Sequence, residues 1–257
     1  MDNGKSIRTM HLFAGAGGGL LADLILGHRP VVAVEWEPYA CQVLRERAAE
    51  GWFPDLSVWE GDVRLFDPSQ YAGRVDCIHA GFPCQDLSFA GAGAGLEEGT
   101  RSGLYREVLR IAGVVRPRYL FLENVSAILG RGLGTVLADL AALGYDARWC
   151  CLRASDVGAP HHRDRWWCLA ECADTHDTGP QGSEITGSDG EDRQECGNEQ
   201  PAGCSGGAQW YEAEPELGRV VDGVPNRIHR IKALGNAQVP LQAAYAFKIL
   251  TGETAEQ

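Results

Sequence analysis

Residues 81–85 read Gly-Phe-Pro-Cys-Gln and follow an apolar run, 75–80, with the composition of a buried strand. Cys84 therefore stands where a strand gives way to a loop of small residues, 88–95. Pro83 limits the backbone before it, and the glycines beyond let the loop close over a substrate. A thiol so placed can act as a nucleophile. Glu123-Asn124-Val125 ends a second strand-like run, 119–122. A carboxyl brought to the same sheet edge as Cys84 and buried there would keep its proton. Arg163 and Arg165 lie two apart, on one side of an extended chain, where they could hold a phosphate and a base carbonyl. Each feature also has an ordinary reading: a small core filler, a helix cap, a salt-bridged strand start.

A second group could hold a nucleoside. Phe13-Ala14-Gly15-Ala16-Gly17-Gly18 is a glycine-rich turn between a strand and a helix, where a ligand can approach free backbone N–H groups. Glu35 ends the next strand, at a place where an acid commonly hydrogen-bonds ribose hydroxyls, and Trp36 beside it can stack on a purine. Asp62, before Val63, ends the third strand and can accept from an adenine amino group. The chain carries no Gly-Lys-Ser/Thr phosphate loop, which argues against ATP hydrolysis.

The elements that must position these residues alternate. Strand-like runs at 9–13, 31–34, 75–80, 119–122, 145–152 and 165–169 are interleaved with helical stretches at 20–26, 38–50, 104–115 and 134–143. This predicts an α/β fold with a mostly parallel sheet, helices on both faces, and ligands at the carboxyl ends of the strands. The pattern fades from about 172 to 209, where Gly, Ser, Asp, Glu, Gln and Asn dominate and Ile185 is the lone large aliphatic residue. It resumes at Trp210, and an apolar helix over 241–250 needs the first domain to bury against. We expect a catalytic and cofactor-binding domain over 1–170. A short recognition region over 171–225 follows, with a flexible acidic insertion at about 179–208, and a segment over 226–257 returns to the first domain.

The net charge of −12 argues at first against a nucleic-acid partner. Thirteen of the 35 acids, however, lie between 171 and 222 against two arginines, leaving the remainder close to neutral. Such a body can hold a basic groove, with Arg163, Arg165, Arg227, Arg230 and Lys232 as candidates. No stretch approaches the roughly 20 apolar residues of a membrane span, and no signal sequence precedes the first strand. Nine cysteines without framework spacing fit a reducing cytoplasm. Cys168, Cys172, His176, Cys196 and Cys204 match no zinc spacing, and no metal is expected.

Taken together, Phe-Ala-Gly-x-Gly-Gly, Glu-Trp, Gly-Asp-Val, Gly-Phe-Pro-Cys-Gln, Glu-Asn-Val, the Arg-x-Arg pair and Gly-Asn-x-x-Val-Pro resemble the DNA cytosine-5 methyltransferases, in that family's order, over about 9–170 and 215–250. The resemblance implies a Rossmann-like S-adenosylmethionine-dependent methyltransferase fold with a small irregular target-recognition region. It implies that Cys84 attacks C6 of a flipped-out cytosine in double-stranded DNA, that Glu123 engages N3, that Arg165 contacts the base carbonyl and that Arg163 contacts a phosphate. S-adenosyl-L-methionine would be held by Phe13, Gly15, Gly17, Gly18, Glu35, Trp36, Asp62, Val63, Pro83, Leu104, Asn236 and Val239. Gln85, Ser88 and Arg101 match the loop that closes over DNA, and Arg227, Arg230 and Lys232 would add DNA contacts. Where the family commonly has glutamine two residues before the first arginine, this chain has His161. Its short, acidic recognition region implies a short target.

The resemblance points to a bacterial or phage modification enzyme, monomeric and cytoplasmic, either orphan or paired with a restriction nuclease. A tRNA cytosine methyltransferase of the same fold would share the catalytic residues, and a catalytically weak DNA-binding protein would share the fold. A nicotinamide dehydrogenase is disfavoured by the incomplete Gly-x-Gly-x-x-Gly spacing of the first turn.

Overall fold

The computed structural model describes residues 6–83, 104–172 and 227–253. Its centre is a seven-stranded sheet in the order β3-β2-β1-β4-β5-β7-β6. The strands are β1 (Arg8–Leu12), β2 (Arg29–Glu35), β3 (Ser57–Glu60), β4 (Cys77–Gly81), β5 (Tyr119–Val125), β6 (Tyr145–Leu152) and β7 (Arg165–Cys172). Strands β1 to β5 pair in parallel, while β7 lies antiparallel between β5 and β6. The helices are α1 (Gly18–Leu26), α2 (Pro38–Ala49), α3 (Leu104–Val115), α4 (Ile128–Arg131), α5 (Leu133–Ala142), α6 (Arg227–Asn236) and α7 (Pro240–Thr251).

Period-two alternation along the central strands feeds two core layers. Leu120 and Leu122 of β5, with Trp166, Cys168 and Ala170 of β7, share a layer with Val108, Ile111 and Val115 of α3 and Val136 and Leu140 of α5. Phe121, Trp167 and Leu169 face the other way, onto Ala243, Ala246 and Phe247 of α7. Leu20 of α1 and Leu44 of α2 cover Ala33 of β2 on a third patch. Phe121 stacks on Trp167 at 5.1 Å and meets Phe247 edge-on at 5.3 Å. The C-terminal helix thus completes the sheet's second face, the burial its apolar sequence demanded.

The structure adds two features to the sequence reading. The motif at 234–236 closes helix α6, so the turn that follows it is only residues 237–239. The sheet edge beyond β5 is antiparallel, because β6 and β7 form a hairpin-like pair with no helical crossover between them. The acidic insertion at about 179–208 lies outside the described residues. Among the described residues no helix is long and apolar enough to cross a membrane.

Strand order reverses between β1 and β4. The segment after β1 enters α1 on one face, while α3, the next helix after β4 among the described residues, covers the other. A crevice at the carboxyl ends of β1 and β4 follows from that topology.

Candidate active site

The glycine-rich turn leaves β1 through three left-handed residues, Phe13 (φ 57°), Gly15 (φ 54°) and Gly17 (φ 97°). A phenylalanine with positive φ is strained, and such strain collects where a backbone path is fixed by a site. Gly17 caps α1 with no side-chain hydrogen bond. Gly15 N–H donates to Glu35 Oε2 at 2.7 Å, and the N–H groups of Trp36 and Glu37 donate to Glu35 Oε1 at 3.0 and 2.9 Å. Glu35, 8% exposed, therefore locks the end of β2 to the first turn. The indole of Trp36, by contrast, is 72% exposed. An anchored acceptor beside an open aromatic face fits a ribose and a stacked purine, so these residues suit an adenosine-bearing cofactor. Val63 is buried, while Asp62 is held by Arg64, which donates to both of its carboxylate oxygens.

Glu123 ends the central run of β5, directly opposite Gly81 of β4 and Trp167 of β7. Arg165, two residues from Trp167 on the antiparallel strand, reaches back diagonally so that its Nε lies 2.8 Å from Glu123 Oε1. Burial raises the Glu123 carboxyl above its ordinary range, opposed by Arg165, by Arg163 and by the nearby amide of Gln238. Asn124 Nδ2 donates to the carbonyl of Phe82 at 3.1 Å, which ties the end of β4 to β5 immediately before Pro83. Cys84, Gln85, Ser88 and Arg101 lie outside the described residues.

Arg163, expected at a phosphate, stands with φ 33° and donates to the carbonyls of Gly235 and Ala237 at 3.0 and 2.5 Å. Its own carbonyl accepts from Gln242 of α7 at 3.0 Å. The arginine therefore pins the loop between α6 and α7. Lys232 pairs with Glu37 at 2.5 Å across the α2 N-terminus; Arg230 is exposed on α6, which begins at Arg227. Leu104 opens α3 against the core, Asn236 ends α6, and Val239 caps α7. Gly18 is required by packing, since a Cβ there would stand 2.3 Å from the carbonyl oxygen of Gln238.

One recess joins these parts: Phe13, Gly15, Gly81, Glu123, Asn236 and Gln238 line it together with His11 and His79. Behind it lies a buried polar cluster that motif reading missed. His11 and His79 are register partners on β1 and β4. His11 Nε2 lies 2.6 Å from Asp23 Oδ2, and Asp23 also takes a hydrogen bond from Thr9 and stands 3.4 Å from His28 Nδ1. Burial lowers His79 to about 3, helped by His11. Burial pushes the Asp23 carboxyl up, yet His11, His28 and His79 outweigh it and bring it well below the usual carboxylate range. His11, Asp23 and His79 present ligand-type atoms within 4.8 Å of one another. The carboxylate is already spent on direct hydrogen bonds, so we read the group as a charge cluster within the fold. Cys168 sits in the core with its thiol pushed up to about 12 by burial, and Cys172 is buried at the far end of the same strand; His176, Cys196 and Cys204 lie outside the described residues.

The sheet order and this recess at its carboxyl edge have the architecture of the Rossmann-like S-adenosylmethionine-dependent methyltransferase fold. The sequence pattern of the C-5 cytosine-specific DNA methylases matches residues 7–200, and the chain belongs to that family. It is 39% identical over 168 residues to the type II methyltransferase M.CviJI of Paramecium bursaria Chlorella virus IL3A, covering 64% of this chain and 43% of that protein. It is 39% identical over 141 residues to M.Eco47II of Escherichia coli, covering 53% and 32%. The match thus spans less than half the length of either relative. Among solved structures, a DNMT2 variant of Spodoptera frugiperda superposes with a TM-score of 0.54 at 22% identity, over 70% of this chain and 54% of that one. The methyltransferase EhMeth of Entamoeba histolytica gives 0.54 at 17%, over 71% and 56%. Both share the fold.

Proposed function

We propose that this protein transfers a methyl group from S-adenosylmethionine to C5 of cytosine in double-stranded DNA, through a covalent bond from Cys84 to C6 of a flipped-out base. The observation that carries the reading is Glu123: a buried carboxyl with a raised proton affinity, gripped by Arg165, one strand away from the Pro83 that precedes Cys84. Cytosine C5 is a poor nucleophile until C6 has been attacked. Addition of the Cys84 thiolate at C6, with a proton shared from Glu123 to N3, moves electron density to C5 as an enamine. Arg165 has the reach to hold both Glu123 and the base carbonyl. Neither residue can meet a stacked base, so the nucleotide must leave the duplex.

Bound S-adenosylmethionine supplies an electrophilic methyl group on its sulfonium. Glu35 would take the ribose hydroxyls, Trp36 the adenine face, and Phe13, Gly15 and Asn236 the remainder. Loss of the C5 proton and expulsion of Cys84 restore the ring. The names of the two relatives support a modification role, with a cognate nuclease as its partner. Bisulfite sequencing of host DNA, after expression in a strain lacking cytosine methylation, tests the reading. Resistant cytosines in one short context, absent with Cys84→Ala, are the expected outcome. Soluble, cofactor-binding protein that leaves every cytosine convertible would overturn it.

A further inference from the structure

Gln238 occupies the turn between α6 and α7 and reaches into the recess between the two polar groups described above. Its side-chain amide lies beside Glu123 on one side and beside His79 and His11 on the other. A carboxylate only accepts, so the amide must turn Nε2 toward Glu123 and Oε1 toward the histidines. The packing agrees. A Cβ on Gly81 would stand 2.9 Å from both Gln238 Nε2 and Glu123 Oε2. A Cβ on Gly19 would stand 2.8 Å from Gln238 Oε1, 2.9 Å from His79 Cε1 and 3.1 Å from His11 Nδ1. With Gly18 against its backbone, three glycines from the first turn and β4 leave the space that Gln238 fills. Arg163 fixes the loop on either side of Asn236, and Gln242 fixes Arg163.

The geometry points to Gln238 as the positioning residue for Glu123, a single amide that spans from the buried His11–Asp23–His79 cluster to the carboxyl and sets both where that carboxyl stands and how firmly it holds its proton. The inference rests on the methyl-transfer reading, in which Glu123 engages the cytosine. Among the described residues, the charged and titratable groups around Glu123 are Arg165 on β7 and Arg163 before β7, with His79 on β4 and His11 on β1 lining the same recess and Asp23 on α1 behind them. Among the partners that favour the charged carboxylate, Gln238 is the neutral one. Removing its donor raises the proton affinity of Glu123 without changing net charge.

The test is Gln238→Met, close in size but without the donor, in the full chain. The Glu123 carboxyl is followed by 13C NMR with labelled glutamate, assigned by its loss in Glu123→Gln, and turnover is measured against pH on DNA carrying the site found by bisulfite sequencing. Glu123 is expected to titrate at higher pH, the alkaline limb of turnover to move the same way, and the plateau to fall by about tenfold as the carboxyl loses its anchor. Cofactor affinity should stay within roughly threefold. A structural defect alone would lower the plateau and leave the titration in place. Should Gln238→Met fail to fold, Gln238→Glu keeps length and polarity and must shift the titration upward through like charge. An unchanged Glu123 titration in the folded variants overturns the inference. Wild-type protein that binds cofactor and never methylates DNA overturns the methyl-transfer reading, while the NMR titration still decides whether Gln238 governs Glu123.

Discussion

Trp36 and Glu35 are neighbours with opposite fates. The carboxylate accepts from three backbone N–H groups and fixes two strand ends while keeping acceptor capacity, whereas the indole stands open. Large apolar side chains are costly to expose unless something covers them in use. Trp36→Ala is therefore expected to weaken S-adenosylmethionine binding by roughly tenfold, the scale of one stacked base, with little change in melting temperature, as calorimetric titration and a thermal melt would show. Glu35 answers differently, because its loss would also free Gly15 and the turn. Both residues were legible in the sequence as a strand-end acid beside an aromatic. The mode of Arg163 was not: two arginines at i and i+2 read alike, and the loop that claims the first is 72 residues away.

At the scale of elements, the paired central strands β1 and β4 carry His11 and His79 side by side, with α1 delivering Asp23 beneath them. His79 is 4% exposed and its proton affinity is depressed. In the unfolded chain a histidine titrates near about 6.5, so between that pH and about 3 the unfolded state binds a proton that the folded state does not. Stability must then fall as pH drops through this window, by up to about 1.4 kcal/mol per pH unit from this group. Asp23, whose folded proton affinity is also depressed, contributes stability above the ordinary carboxylate range and loses it only at lower pH. The expected outcome is a melting temperature that declines from pH 6.5 toward 5, with a shallower decline in His79→Phe. Equal slopes in the two proteins would remove His79 as the cause. Nothing in the spacing of these residues marks them as a cluster. Each occupies a position where strand or helix periodicity calls for an apolar side chain, and only the pairing of β1 with β4 brings the rings to 4.9 Å.

At the scale of the whole molecule, the described residues form one sheet with a helical cover on each face, closed by α7 against α1, β6 and β7. Residues 181–205 carry almost no large apolar side chain, so burial there has little to contribute to that core. Deleting them should leave the melting temperature within about 2 °C of the full chain, a shift equivalent to under about 1 kcal/mol for a domain of this size. A large loss would mean that the segment holds the fold. The same deletion removes Glu184, Asp189, Glu191, Asp192, Glu195 and Glu199 with Arg193, a net loss of negative charge. Non-specific DNA affinity at low salt should rise with it.

The sequence by itself determined the alternation of strands and helices, the span of α3, the placement of Glu123 and the glycine turn at strand ends, and the motif order that marks the family. These are local matters: period, turn residues and the chemistry of short motifs act over a few positions, and a strand or helix in isolation already expresses them. Tertiary structure alone decided that β7 turns antiparallel, which lets Arg165 reach Glu123 from the adjoining strand. It also decided that the loop after α6 is pinned by Arg163 and seats Gln238 between Glu123 and His79. Those contacts join residues from about 40 to about 160 positions apart. No local propensity encodes such pairs, because they form only when the sheet closes and burial makes an unpartnered polar group costly.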